Sequence, residues 1–222
     1  MKHMIRNNRG FLVALVGLAL FRTAIADWNP IPSGSMRPNL LEGDVVFVNR
    51  LAYNLKLPLT DIILARIGEP QHGDIVTFSS PRDGTRLIKR IVGLPGDTIE
   101  MRDEHLLVNG VAAEYTDAEV RLERSENGIQ NEALVVTEAI GEGRRKVQWI
   151  EGRMALNSFG PQTIPADRYL VLGDNRDNSA DSRYIGLVPR SLLIGRASNI
   201  LVSADILGNW LPRLERFGLA LK

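Results

Sequence analysis

The first 28 residues restrict this chain more than any other stretch. Eleven apolar residues run without a break from Phe11 to Phe21, behind Lys2, Arg6 and Arg9 and ahead of Arg22, with no acid before Asp27. Drawn as a helix, Phe11 to Trp28 would extend about 27 Å, close to the roughly 30 Å of a bilayer's hydrocarbon. Arg22 would snorkel to the far interface, Trp28 would sit in it, and the basic tip would stay cytoplasmic. One N-terminal transmembrane helix is therefore the leading expectation, with everything after Asp27 across the membrane. A signal peptide cleaved after Ala24-Ile25-Ala26, or a buried N-terminal helix, are the alternatives.

Without residues 1–26 the chain holds 23 basic against 26 acidic residues, and its overall net charge is +1. That balance gives no electrostatic reason to expect nucleic acid. The absence of cysteine excludes disulfides, thiolate metal sites and a cysteine nucleophile. With only His3, His72 and His105, metal chemistry has little support, so no metal and no cofactor are expected. Catalysis, if there is any, falls to hydroxyls, amines and carboxylates.

The body reads as β-structure. Asp44–Asn49, Asp74–Phe78, Leu87–Val92 and Arg168–Leu172 are short β-rich runs, most of them bounded by Gly, Pro, Asn or Asp. None leads into an amphipathic crossover helix, which argues against a parallel sheet. Leu51 to Ile67, interrupted by Pro58, reads as a short helix or a loop. From Met101 to Ala166 polar and acidic residues increase, with strand candidates at Glu104–Asn109, Ala133–Thr137 and Lys146–Ile150. The expected fold is mainly β: an antiparallel core (29–100 and 168–204) split by a smaller β subdomain (101–167) and preceded by the anchor (1–28). In the last segment, 205–222, Leu207, Trp210, Leu211, Leu214 and Phe217 recur at roughly helical spacing, which suggests a docked helix or a membrane-surface contact.

Three stretches could carry chemistry. In Ile31–Leu40, two prolines stiffen a Ser33-Gly34-Ser35 core that would display the Ser35 hydroxyl, unless the segment is an ordinary linker. In Thr85–Asp97, strand alternation gives each face one cation, Lys89 or Arg90, between apolar neighbours. Lysine, with an ordinary pKa of about 10.4, becomes a useful base only when burial lowers that value. Otherwise Lys89 is a snorkelling edge-strand residue. In Leu172–Gly186, interleaved aspartates and arginines could hold a loop through ion pairs, or could simply be solvated. A calcium loop fits poorly, because Arg176 breaks its ligand pattern.

Taken together and in order, these segments resemble bacterial type I signal peptidase, a serine–lysine endopeptidase family. The matching motifs are Pro32–Met36 with Pro38 and Leu40, Gly43-Asp44, Gly73–Val76, Lys89-Arg90 with Val92–Asp97, and Gly173–Ser179 with Asp181–Arg183. The resemblance implies Ser35 as nucleophile and Lys89 as general base. It implies an oxyanion hole made by the Ser33 hydroxyl and the Ser35 amide, and Ser179 as the hydroxyl that orients the lysine. Arg90, Asp174, Asp181 and Arg183 would be supporting ion-pair residues. Ile31, Pro32, Met36, Leu40, Val46, Leu87 and Ile88 would bind substrate. Leu87 stands where relatives commonly carry an aromatic residue, and Thr77 where valine is common. The implied activity is removal of signal peptides from exported preproteins after small residues at −3 and −1. Its setting would be the bacterial inner membrane, single-pass with the N-terminus cytoplasmic, as a monomer whose partners are signal peptides and the lipid bilayer. Ala24-Ile25-Ala26 could itself be such a cleavage site. A specialised maturation peptidase, as for pilus subunits, or an idle membrane-tethered peptide-binding domain are the runners-up.

Overall fold

In the computed structural model, which describes residues 9–60, 62–124 and 128–221, the chain enters through an α-helix, Arg9–Ala24 (α1). At 16 residues it would span about 24 Å, and no described helix is long and apolar enough to cross a membrane. The expected helix to Trp28 is cut short because the chain turns into a strand, Ala26–Pro30 (β1). Asp27 explains the turn: its buried carboxylate gathers Arg22 at 2.8 Å, Arg86 at 3.1 Å and Arg50 at 3.6 Å. Lys2 and Arg6 of the basic tip lie outside the described residues.

Next come Asp44–Asn49 (β2), the hairpin Asn54–Lys56 (β3) and Ile63–Arg66 (β4), then Ile75–Ser79 (β5) and Arg86–Gly93 (β6). The hairpin corrects the expectation of a helix or loop over Leu51–Ile67. It hangs on Arg190, whose guanidinium donates to Asn54 and to the carbonyls of Tyr53 and Gly68. Inserted strands follow: Thr98–Arg102 (β7), His105–Val108 (β8), Val111–Ala112 (β9), Glu114–Arg124 (β10), Gln130–Ile140 (β11), Gly143–Ile150 (β12) and Phe159–Thr163 (β13). The chain returns as Arg168–Leu172 (β14), a single helical turn Ser182–Ile185 (α2), Val188–Pro189 (β15) and the long Leu193–Ser203 (β16).

The main sheet has the order β1-β2-β16-β5-β6-β14-β15, and every pairing in it is antiparallel. Alternation along β14 places Tyr169 and Val171 in one core cluster with Val76, Phe78 and Ile91, and Leu170 and Leu172 in another with Ile99 and Leu106. A third cluster joins Ile31, Met36, Leu40, Val46 and Ile200. Full burial of such a side chain stabilises by about 1.5–3 kcal/mol, so the segment carrying Ser35 is held down by its neighbours Ile31, Met36 and Leu40.

The insert makes two small sheets, β13-β7-β8-β9 and β10-β11-β12. The C-terminal segment is not the expected helix. Only Leu214–Arg216 forms a 3₁₀ turn, and Ala204 and Asn199 bridge to Pro212 and Ala220. Arg213 and Arg216 stretch it along the sheet by donating to Asp205 and Asp44.

Candidate active site

Ser35 sits in the middle of a one-turn 3₁₀ helix, Gly34–Met36, which the wholly buried Met36 pins to the core. A Cβ at Gly34 would lie 2.8 Å from Glu42 Oε1, so any side chain there would push the Glu42–Arg37 pair aside. Lys89 enters from β6, where it pairs with the buried Val76 of β5. Its Nζ lies 2.8 Å from Ser35 Oγ and donates to the Ile88 carbonyl, also at 2.8 Å. Lys89 is 2 % exposed, and among the described residues no carboxylate comes within ion-pair distance of its amine. Burial pulls the Lys89 pKa down from 10.5 to about 8, against the opposing pull of Asp181 and Asp174. At pH 7 only about a tenth of the amine is unprotonated and at pH 8 about half; that neutral form can accept the hydrogen bond that the Ser35 hydroxyl donates.

The expected ion-pair residues surround this contact. Asp174 is gripped by Arg90 through two bonds, 2.8 and 2.7 Å, and by Asn39 at 2.7 Å. Asp181 is fully buried; it accepts the Gly173 N–H and two Arg183 bonds of 2.8 Å, and it caps α2. Ser33, half-buried, precedes the turn in extended conformation and makes no capping bond with its hydroxyl.

Ser179 departs from expectation. Its Oγ is buried and has no hydrogen-bond partner among the described residues, so the expected bond to Lys89 is not made. It packs instead over Gly173, where a Cβ would lie 2.2 Å from Ser179 Oγ and 2.5 Å from the Ser35 carbonyl oxygen. Only glycine fits between them.

The substrate-binding candidates divide. Ile31, Met36, Leu40 and Val46 are buried together in one cluster, with Ile88 packed at its edge and Pro32 exposed. Leu87 packs elsewhere, among Tyr53, Val76 and Phe78. Thr77 is buried with its hydroxyl 3.4 Å from the Gly195 carbonyl. The Ala24-Ile25-Ala26 stretch is held in the fold: Ala26 is buried and pairs with Asn49, and Arg50 N–H donates to the Ile25 carbonyl. Self-trimming there would first require β1 to peel from β2.

Sequence reasoning missed Asn175, whose backbone N–H donates to the Ser35 carbonyl and whose side chain donates to the Gly34 carbonyl. It also missed Glu138, which lies between Arg145 and Arg176 and accepts from Tyr115. Asn175 stands inside the Gly173–Ser179 motif, but no local pattern reveals contacts across 140 residues. A polar cavity of about 260 Å³ lies against the same turn, lined by Gly34, Arg37, Glu42, Glu123, Asn175 and Asn178 among others.

Residues 4–202 match the family described as signal peptidase, peptidase S26. Signal peptidase I of Pseudomonas aeruginosa is 34% identical over 230 residues, which cover 97% of this chain and 79% of that protein. Signal peptidase I of Rickettsia massiliae is 36% identical, covering 89% and 79%. A crystal structure of a signal peptidase I from Enterococcus faecalis shares 32% identity and a TM-score of 0.34, over 58% of this chain and 96% of that one.

Proposed function

Because this chain belongs to the signal peptidase family, peptidase S26, we propose that it cleaves signal peptides from exported preproteins with Ser35 as nucleophile and Lys89 as general base. The observation that carries this reading is the 2.8 Å contact between Lys89 Nζ and Ser35 Oγ in a dry setting. Neutral Lys89 takes the serine proton as Oγ attacks the scissile carbonyl. The tetrahedral oxyanion is met by the Ser35 amide and the Ser33 hydroxyl. Lys89 then protonates the leaving amine, and water, activated by the same lysine, hydrolyses the acyl-enzyme. Ile31, Met36, Leu40 and Val46 are buried in one apolar cluster with Ile88 at its edge, and the family reading sets the substrate's small side chains against it. On this reading the site admits alanine-sized side chains at −3 and −1 and excludes bulky ones on steric grounds.

The same reading attaches the enzyme to the bacterial inner membrane through its N-terminal segment, with the tip cytoplasmic and the catalytic body outside. What supports it is the apolar run itself, whose side chains from Phe11 to Phe21 are exposed along α1, beside a tip rich in arginine and lysine.

The test is incubation of the detergent-solubilised protein with a preprotein, or with a fluorogenic peptide ending in Ala-x-Ala. Ser35→Ala and Lys89→Ala should abolish cleavage. Ser33→Ala should keep a residual rate about a hundredfold lower, the usual effect of losing one oxyanion donor. Wild-type rates from purified Lys89→Ala at pH 7–8 would defeat the assignment.

A further inference from the structure

We propose that Asn175 is a positioning residue that aims the Ser35 amide, and that the inserted subdomain serves catalysis by holding Asn175 in place. This rests on the reading above, in which the Ser35 N–H receives the oxyanion.

The geometry begins with one planar unit. The Gly34–Ser35 peptide is trans, so its C=O and N–H point in opposite directions. Whatever fixes the Gly34 oxygen therefore fixes the direction of the Ser35 N–H. Asn175 Nδ2 donates to that oxygen at 3.0 Å, and the Asn175 backbone N–H donates to the next carbonyl, Ser35 O, at 3.1 Å. A carbonyl acceptor demands the NH₂ end of the amide, so the orientation of the side chain follows from chemistry. Asn175 is 1 % exposed, which leaves water little chance to compete.

Asn175 is itself held from the far side by β12. Gln148 N–H donates to the Asp174 carbonyl at 2.9 Å, and Arg176 N–H donates to the Gln148 carbonyl at 2.9 Å. The backbone on both sides of Asn175 is thus bonded to one residue of the insert. Flanking contacts repeat the pattern: Arg176 donates to Glu138 of β11 at 2.7 Å, and Asp177 accepts the Ile150 N–H at 2.9 Å. A second arm reaches the nucleophile turn directly. Glu123 of β10 accepts from Arg37 at 3.0 Å and from the Gln148 side chain at 2.8 Å, while Arg37 also donates to Glu42. The turn that carries Ser35 is therefore clamped between a loop that β12 holds and an arginine that β10 holds.

A misaimed oxyanion donor weakens transition-state binding and leaves ground-state binding alone, so the loss belongs in kcat. Asn175→Ala removes the donor. Asn175→Asp keeps the shape and turns an acceptor toward the Gly34 carbonyl. Rates taken on the alkaline plateau of each variant keep any altered Lys89 titration out of the comparison. The expected result is a kcat about ten- to a hundredfold lower at a KM within twofold of wild type. Affinity for a peptide boronate, which forms a tetrahedral adduct on Ser35, should fall by the same factor, with affinity for the cleaved peptide unchanged. A folded Asn175 variant with kcat within twofold of wild type, or one that loses product affinity equally, overturns the proposal. Glu123→Ala tests the insert's arm at a half-buried position: a several-fold lower kcat at unchanged KM is expected, and wild-type kcat overturns that half. Ser35→Ala runs beside them. Cleavage surviving in Ser35→Ala sinks the serine–lysine reading, whereas cleavage lost there but kept in the Asn175 variants sinks only this proposal.

Discussion

Around Lys89 the protein buries a single amine against a hydroxyl and a carbonyl, whereas around Glu138 it packs one carboxylate between two arginines and a tyrosine. Both sites are almost completely dry. At Lys89 burial acts without a direct counter-ion and brings the ammonium down to about 8. At Glu138 burial pushes the carboxyl up, but Arg176 and Arg145 outweigh it and hold the group at about 2. The contrast separates two uses of buried charge. A lone group is poised to exchange its proton, and a carboxylate packed between two cations keeps its charge and fixes geometry. Arg90, the next residue after Lys89, falls on the charge-keeping side through its paired bonds to Asp174.

The comparison breaks first, and hardest, at Glu138. Glu138→Ala leaves Arg145 and Arg176 buried without their anion and should cost about 3–5 kcal/mol in urea denaturation. In the wild type, the stabilisation from this depressed carboxyl is present above pH 4.5 and is lost as pH falls toward 2. A loss under 1 kcal/mol in the variant would mean that the Glu138 cluster does not secure the insert.

Next in size is Lys89→Met. The folded protein binds the lysine proton less well than the unfolded chain, so the charged amine strains the fold fully below pH 8, and the strain is relieved as pH rises toward 10.5. The variant should be dead as a peptidase yet about 3 kcal/mol more stable than wild type at pH 7, with the advantage fading across that window. An advantage independent of pH would point to packing alone.

Smallest is Asp167→Asn. The Arg66–Asp167 pair is 2.6 Å long but half exposed on both sides, where solvent screening removes most of its worth. Its thermal midpoint should match wild type, and a clear drop would show that exposed pairs here behave like the buried Glu138 cluster.

Much of the core was legible because its strands are short runs rich in β-branched, aromatic and aliphatic residues between turn residues, as at Asp44–Asn49 and Arg168–Leu172. Prolines beside a hydroxyl and a cation amid apolar neighbours drew notice to Ser35 and Lys89, but only the ordered set of motifs separated them from a linker serine and a snorkelling lysine. The hairpin at Leu55 and Leu64 was not legible, since those leucines are exposed while the polar Asn54 and Lys56 are buried, the reverse of the usual pattern. Strand β10 hid for the opposite reason, being polar and largely exposed along its length. The early end of α1 goes with Arg50, just after β2, and Arg86 of β6 reaching Asp27. Asn175 and Glu138 were invisible because their meaning lies in partners brought together only by the fold.

The central claim is that burial lowers the Lys89 pKa to about 8, so that a neutral, reactive amine is available at mildly alkaline pH. Its most direct test is a ¹³C NMR titration of the lysine Cε in the inactive Ser35→Ala enzyme, with Lys89→Met as the assignment control. A midpoint near 8 is the predicted result, and a midpoint at the ordinary 10.5 would contradict the account.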